Sequence, residues 1–275
     1  MIISLVATHG KVKKTDSCQL RLIMKEYKMN PDIKNCIQYE DSQIIVCHKP
    51  AGIPVQSGRI GTPDMVSLLK NYLAASQRSA SAGQSSASVR NSAAGHSSAA
   101  SRNTAARAPY LGVIHRLDQP VEGLLVFAKT PAAAKNLSQQ LTSAGFGKYY
   151  LAVVSGKPEK DSDTLEDYLI KDGRTNTSRV CPKETAGAKS ARLSYHTLDS
   201  RDGRSLLEIH LDTGRHHQIR VQMAHLGCPL IGDRKYGQKE STELLRLCAF
   251  KLEFLHPEDG RKMKFELPPD ACPRL

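Results

Sequence analysis

Residues 111–130 read LGVIHRLDQPVEGLLVFAKT. Asp118 stands there between two short apolar runs, 111–114 and 124–128, that are rich in Leu, Val, Ile and Phe. Runs of this length and composition predict buried strands. Asp118 then falls where the first strand gives way to a tight connection, which Pro120 restricts and Gly123 relieves. An acid on the edge of a rigid scaffold is placed for chemistry, and equally well placed to cap a turn. Within this stretch both roles stay open.

Outward from it, the pattern continues as strands interleaved with helices. Residues 43–48 predict a strand, followed by a turn stiffened by Pro50 and Pro54. Pro63-Asp64 opens a helix through Leu68, Leu69, Tyr72 and Leu73. Thr130-Pro131 starts a second helix, with Thr as the cap and Pro in the first turn, that runs to about Gly145. Residues 148–155 (KYYLAVVS) predict a strand, and 159–190 read as polar and irregular. Strands at 192–198 and 205–211 flank the hairpin signal Asp202-Gly203. A helix is expected from Arg215 to about Leu226, and a last hairpin joins 247–254 to 262–267. Strands mostly in antiparallel order with helices between them define an α+β domain with a mixed sheet.

Two segments look appended. Residues 1–38 suggest a basic extension, disordered or arising from a misassigned start with Met29 as the true first residue, ahead of a folded unit at 39–275. Residues 76–108 draw 20 of 33 positions from Ser and Ala and hold few large apolar groups, which predicts a flexible surface insertion. The net charge of +12 suggests a polyanionic partner. Residues 1–30 and 76–108 each contribute +4 of it, so the body is only mildly basic. The seven cysteines form no CxxC pair, which argues for reduced thiols in a cytoplasmic protein and against a zinc site. No apolar run approaches the roughly 20 residues that span a bilayer.

Three clusters could carry chemistry: Asp118 with His115 and Arg116; the donor-rich TGRHHQIR at 213–220; and Tyr149-Tyr150 on an otherwise aliphatic strand, where alternation sends one ring to each face. A helix start bearing Arg and His suits an anion. His216 and His217 make a poor metal pair, since adjacent helical residues diverge and no Cys or acidic ligand is near in sequence. Asp118 with Glu122 is weak evidence for a glycosidase pair. There is no GxGxxG, P-loop or GxSxG to support nucleotide-cofactor or serine-hydrolase chemistry.

Together these stretches resemble the RluA family of RNA pseudouridine synthases. His115-Arg116-Leu117-Asp118 with Gly123-Leu124-Leu125 looks like the motif that bears the catalytic aspartate. KYYLAV at 148–153 resembles the strand that supplies a tyrosine, and LDTGRHHQIR at 211–220 with GCPLIGDRKYG at 227–237 resembles the closing motif. The resemblance implies a pseudouridine synthase fold with a central active-site cleft, acting on uridines of ribosomal or transfer RNA. Asp118 would be the nucleophile or base that drives cleavage of the glycosidic bond, after which the uracil turns and reattaches through carbon 5. Arg220 would pair with Asp118, Tyr150 would pack on the uracil, and Arg116 would contact RNA beside the extruded base. No cofactor and no metal are implied, and the expected protein is a monomer with RNA as its partner and no membrane association. The rival is a non-catalytic RNA-binding module or chaperone on the same scaffold, which would have no need of the Asp118 carboxylate. The chain departs from the family at Val121-Glu122, where Thr-Ser is usual, and at Gln222, where His is common. The family's usual small N-terminal RNA-binding domain is also not recognisable ahead of the first core strand.

Overall fold

The computed structural model describes residues 32–85, 108–143 and 145–275. In chain order the elements are α1 (Ile33–Cys36), β1 (Ile37–Glu40), β2 (Ile44–Lys49), α2 (Met65–Ser85), β3 (Gly112–Val113), β4 (Glu122–Ala128), α3 (Pro131–Thr142), β5 (Gly147–Ser155), β6 (Ser162–Asp172), β7 (Thr177–Val180), β8 (Lys189–Arg201), β9 (Arg204–Leu211), α4 (Gln218–His225), β10 (Leu247–Leu255) and β11 (Lys262–Glu266). One sheet runs β1-β2-β4-β10-β5-β9-β8-β6-β7, with β3 beside β4 and β11 beside β10. Of the pairings described, β4–β10 alone is parallel, through Cys248 opposite Glu122 and Ala249 opposite Gly123. The expected α+β class with a mostly antiparallel mixed sheet is what the chain forms.

The sheet is covered on both faces, and the alternation along β2 assigns residues to each. Ile45 and Cys47 belong to the core shared with Met65, Leu69 and Leu73 of α2 and Ile219 and Met223 of α4. Ile44 and Val46 belong to the opposite core, with Ala133 and Leu137 of α3. Burial on both faces explains why the central strands read as continuous apolar runs rather than alternating ones. Local signals fix the helix starts. Asp64 Oδ1 accepts from the Ser67 amide at 2.7 Å ahead of α2, and Thr130 Oγ1 accepts from the Ala133 amide at 3.1 Å ahead of α3.

Four expectations need correction. Residues 33–38, placed in the extension, form α1 and the start of β1, with Cys36 buried in the core; residues 1–31 lie outside the described residues. The helix expected to dissolve at 76 continues to Ser85, consistent with the high helix propensity of Ala, while 86–107 lie outside the described residues. The stretch called irregular holds β6 and β7. The first half of strand β6 alternates between exposed and half-buried positions and Leu169 is its one buried residue, so the apolar signal is weak and backbone pairing with β8 carries the strand. Helix α4 begins at Gln218 rather than Arg215, because His217 takes a left-handed conformation at φ 56°. Gln218 then ties down the preceding loop, accepting from Thr213 Oγ1 at 2.8 Å and the Arg215 amide at 2.9 Å.

Candidate active site

Asp118 sits in the connection from β3 to β4. Its backbone carbonyl accepts from the Val121 amide at 3.0 Å and closes the tight turn. The side chain does not cap that turn. It crosses to Arg220 on α4, whose Nη1 lies 3.3 Å from Oδ2. A second tie fixes the loop from behind. Lys49 is fully buried, and its ammonium donates to the carbonyls of Pro50 at 2.9 Å, Ile53 at 2.8 Å and Gln119 at 3.2 Å. The Gly52 amide adds a bond to the Gln119 carbonyl at 2.8 Å. The turn after β2 and the Asp118 turn are thus clasped together. Burial, partly offset by the charges of Glu122 and Asp118, holds the Lys49 pKa down to about 7.

Gly123 permits the approach of the two central strands. Its φ is +131°, and a Cβ there would lie 2.4 Å from the Ala249 carbonyl oxygen. Glu122 falls between Val121 in one core and Leu124 in the other, and its charge is felt at Cys248 and Cys272 of the far-side core. The negative charge at this family departure therefore reaches both the far-side cysteines and the Lys49 ammonium that ties down the Asp118 turn. Val121 is buried where the usual Thr would stand. Gln222, the other departure, is buried and donates to Asp167 Oδ2 at 2.8 Å.

Arg220 is committed chiefly to Asp233, through Nε at 2.7 Å and Nη2 at 2.8 Å. Both partners are buried, and Asp233 Oδ1 also accepts from the amides of Lys235 at 2.9 Å and Tyr236 at 3.2 Å. Burial raises the Asp233 carboxyl, but those bonds and the Arg220 charge hold it below the usual range. Asp118 comes out the other way. Its burial pushes the pKa up by more than Arg220 pulls it down, and the nearby Asp233 adds to the rise. Arg220 thus orients Asp118 without lowering its pKa to an ordinary carboxylate value.

Tyr150, on β5, belongs to the core on the cleft side, and burial raises its phenol pKa so that it stays neutral. Tyr149 takes the other face, where its ring stacks near His210 at 4.7 Å and under the Lys251 ammonium at 4.0 Å. Alternation along the strand placed one ring on each face as expected. Asp118, Tyr150, Arg220 and Arg116 all line one cleft of about 920 Å³. Arg116 is exposed on its rim, and Lys148, Lys171 and Arg215 add cations around it. His115 also lines the cleft, with its ring against Phe146 at 5.5 Å, and desolvation pushes its pKa down to about 3. His216 and His217 stack on each other with ring centroids 3.7 Å apart. Among the described residues no group of three or more His, Cys, Asp or Glu side chains is placed to hold a metal.

Sequence reasoning missed Lys49, Asp233 and Tyr236. Asp233 and Tyr236 lie in the quoted 227–237 stretch and Lys49 in the turn after the first predicted strand, yet nothing in the sequence says which distant groups they meet.

The structure is thus a sheet covered on both faces, with Asp118, Arg220 and Tyr150 in one cleft lined by several cations, and comparison with known proteins gives its class. A profile of the family described as RNA pseudouridylate synthase matches residues 43–225. Ribosomal large subunit pseudouridine synthase D of Xylella fastidiosa is 32% identical over 268 residues, covering 89% of this chain and 69% of that protein. The uncharacterised RNA pseudouridine synthase YlyB of Bacillus subtilis is 36% identical over 159 residues, 57% of this chain and 52% of that protein. Several of these relatives are longer, and the chain spans about half to three fifths of the length of three of them. The solved structure of human RNA Pseudouridylate Synthase Domain Containing 4 superposes with a TM-score of 0.63 at 20% identity, covering 92% of this chain and 94% of that one. The chain belongs to the RNA pseudouridine synthase family, in its RluA branch.

Proposed function

We propose that this protein isomerises uridine to pseudouridine in structured RNA, and that the described residues form its catalytic unit. The observation that carries this is the convergence of Asp118, Tyr150 and Arg220, from three distant segments, in one basic cleft. Asp118, as nucleophile or base at the ribose, drives breakage of the glycosidic bond, and the freed uracil turns and rejoins through carbon 5. Arg220 holds the carboxylate in direction. Tyr150 packs on the uracil face as a neutral phenol. Arg116, on the rim, contacts RNA where the extruded base leaves the stack. The name of the Xylella relative favours ribosomal RNA over transfer RNA as substrate. The protein acts as a cytoplasmic monomer without metal or cofactor.

The test is Asp118→Asn on the purified chain with ribosomal and transfer RNA. The variant is expected to fold and bind RNA but to form no pseudouridine. Pseudouridine formed at the wild-type rate by that variant would overturn the role of Asp118. Mapping pseudouridines in total RNA with and without the gene identifies the target, and an unchanged map would overturn the function.

A further inference from the structure

His217 is buried beside the carboxylate that the proposed reaction uses. Its Nε2 lies 3.5 Å from Asp118 Oδ2, and its Nδ1 lies 2.7 Å from the Tyr236 hydroxyl. That hydroxyl also accepts from the Ser178 backbone amide at 2.8 Å, a group that can only donate. The phenol proton then needs an acceptor. Among the described residues the one within hydrogen-bond reach is His217 Nδ1. Were Nδ1 protonated, the phenol proton would be left without a protein partner at this half-buried position. A neutral imidazole with Nδ1 as acceptor carries its proton on Nε2, the nitrogen that lies 3.5 Å from Asp118 Oδ2.

The ring is held as well as its proton. His216 stacks on it at 3.7 Å, and His216 Nδ1 is bonded to Ser178 Oγ at 2.8 Å. Ser178, on β7, thus braces both histidines. Burial first, then the Arg220 charge, keeps His217 neutral with a pKa pushed down to about 3, so the ring carries a single proton at physiological pH. Arg220 Nη1 and His217 Nε2 both approach Oδ2, and among the described residues no hydrogen bond reaches Oδ1.

We propose that His217, with its proton fixed on Nε2 by Tyr236, is a positioning residue that together with Arg220 anchors Oδ2 of Asp118 and leaves Oδ1 as the oxygen presented to substrate. His217 holds its proton and does not hand it over. The assignment deepens the pseudouridine synthase proposal and rests on it for the identity of the substrate.

The experiment uses the full chain labelled with 15N-histidine and 13C-aspartate. Long-range 1H–15N spectra should place the His217 proton on Nε2 in the wild type and show a mixed tautomer in Tyr236→Phe, whose ring still covers Arg220. His217→Asn suits the left-handed backbone at this position and withdraws the donor from Asp118. Both variants should raise the Asp118 pKa read by 13C titration, because a donor to the carboxylate is weakened or lost. Both should lower kcat for pseudouridine formation about tenfold with KM nearly unchanged, the loss of one hydrogen bond to a charged group. His217→Gln, whose amide nitrogen can reach toward the place of Nε2, should recover part of that kcat. A wild-type proton on Nδ1, or an Asp118 pKa unmoved in both variants, would overturn the assignment. Should the wild type form no pseudouridine on any RNA, the functional proposal fails, while tautomer and titration still decide whether His217 positions Asp118.

Discussion

Asp233→Asn separates what the buried ion pair does for stability from what it does for the cleft. Arg220 gives two short bonds to Asp233, at 2.7 and 2.8 Å, and one longer bond to Asp118 at 3.3 Å. Both members of the pair are buried, so neutralising Asp233 leaves a guanidinium inside with Asp118 as its remaining anionic partner. Breaking a buried pair from one side costs roughly 3–5 kcal/mol. The surviving contact to Asp118 places this case at the low end, about 3 kcal/mol. For a domain of this size that is a fall in Tm of about 6–12 °C, read by circular dichroism. The second effect is electrostatic. Asp233 helps push the Asp118 pKa up, so its removal should lower that pKa and move the acid limb of the kcat/KM profile to lower pH. Neutral-pH kcat should fall about tenfold as the guanidinium loses its second anchor. Removing both charges, in Arg220→Met with Asp233→Leu, should restore most of the stability and none of the activity. An unchanged Tm in Asp233→Asn, or an acid limb that moves upward, would refute this account.

Asp118→Asn should raise Tm at neutral pH. A carboxyl with a raised folded pKa contributes stability at low pH that is lost as pH rises through that pKa, so the amide should gain at neutral pH and the gain should vanish in acid. Gly123→Ala places a Cβ 2.4 Å from the Ala249 oxygen and 2.5 Å from its nitrogen at φ +131°, and should cost roughly 3–5 kcal/mol by denaturant titration through clash and backbone strain; wild-type stability would show that the two central strands can part at no cost. Arg116→Ala should weaken RNA binding and reduce the slope of log K against log salt by about one, and an unaltered slope would remove Arg116 from the phosphate contacts.

The strands around Asp118 were legible because burial on both faces leaves an uninterrupted apolar run, as in β2 and β4. Strand β6 was not, because it lies near the sheet margin and its Thr, Glu and Asp positions obey backbone pairing rather than burial. Asp118, Tyr150 and Arg220 stood out through motif resemblance, and the structure brings all of them, with Arg116, to one cleft. What sequence spacing could not supply was partnership. Arg220 reads as the partner of Asp118, 102 residues away, yet its shorter bonds go to Asp233, 13 residues away. Lys49 reads as a turn residue, and only the meeting of two loops 70 residues apart turns it into a buried clasp. His217 reads as helical, whereas its left-handed backbone precedes the helix.

The position of β10 has a consequence for how the protein is made. This strand lies between β4, which follows the Asp118 turn, and β5, which carries Tyr150. Among the described residues it is also the last strand but one in chain order. A nascent chain can zip β2 to β4, and β5 to β9 and β8, from antiparallel neighbours, but the two halves lack the strand that joins them. Aspartate and tyrosine therefore come into register only when residues 247–255 insert between them. Recovery of activity during refolding should then lag behind recovery of strand signal, and unfinished chains would hold no working cleft.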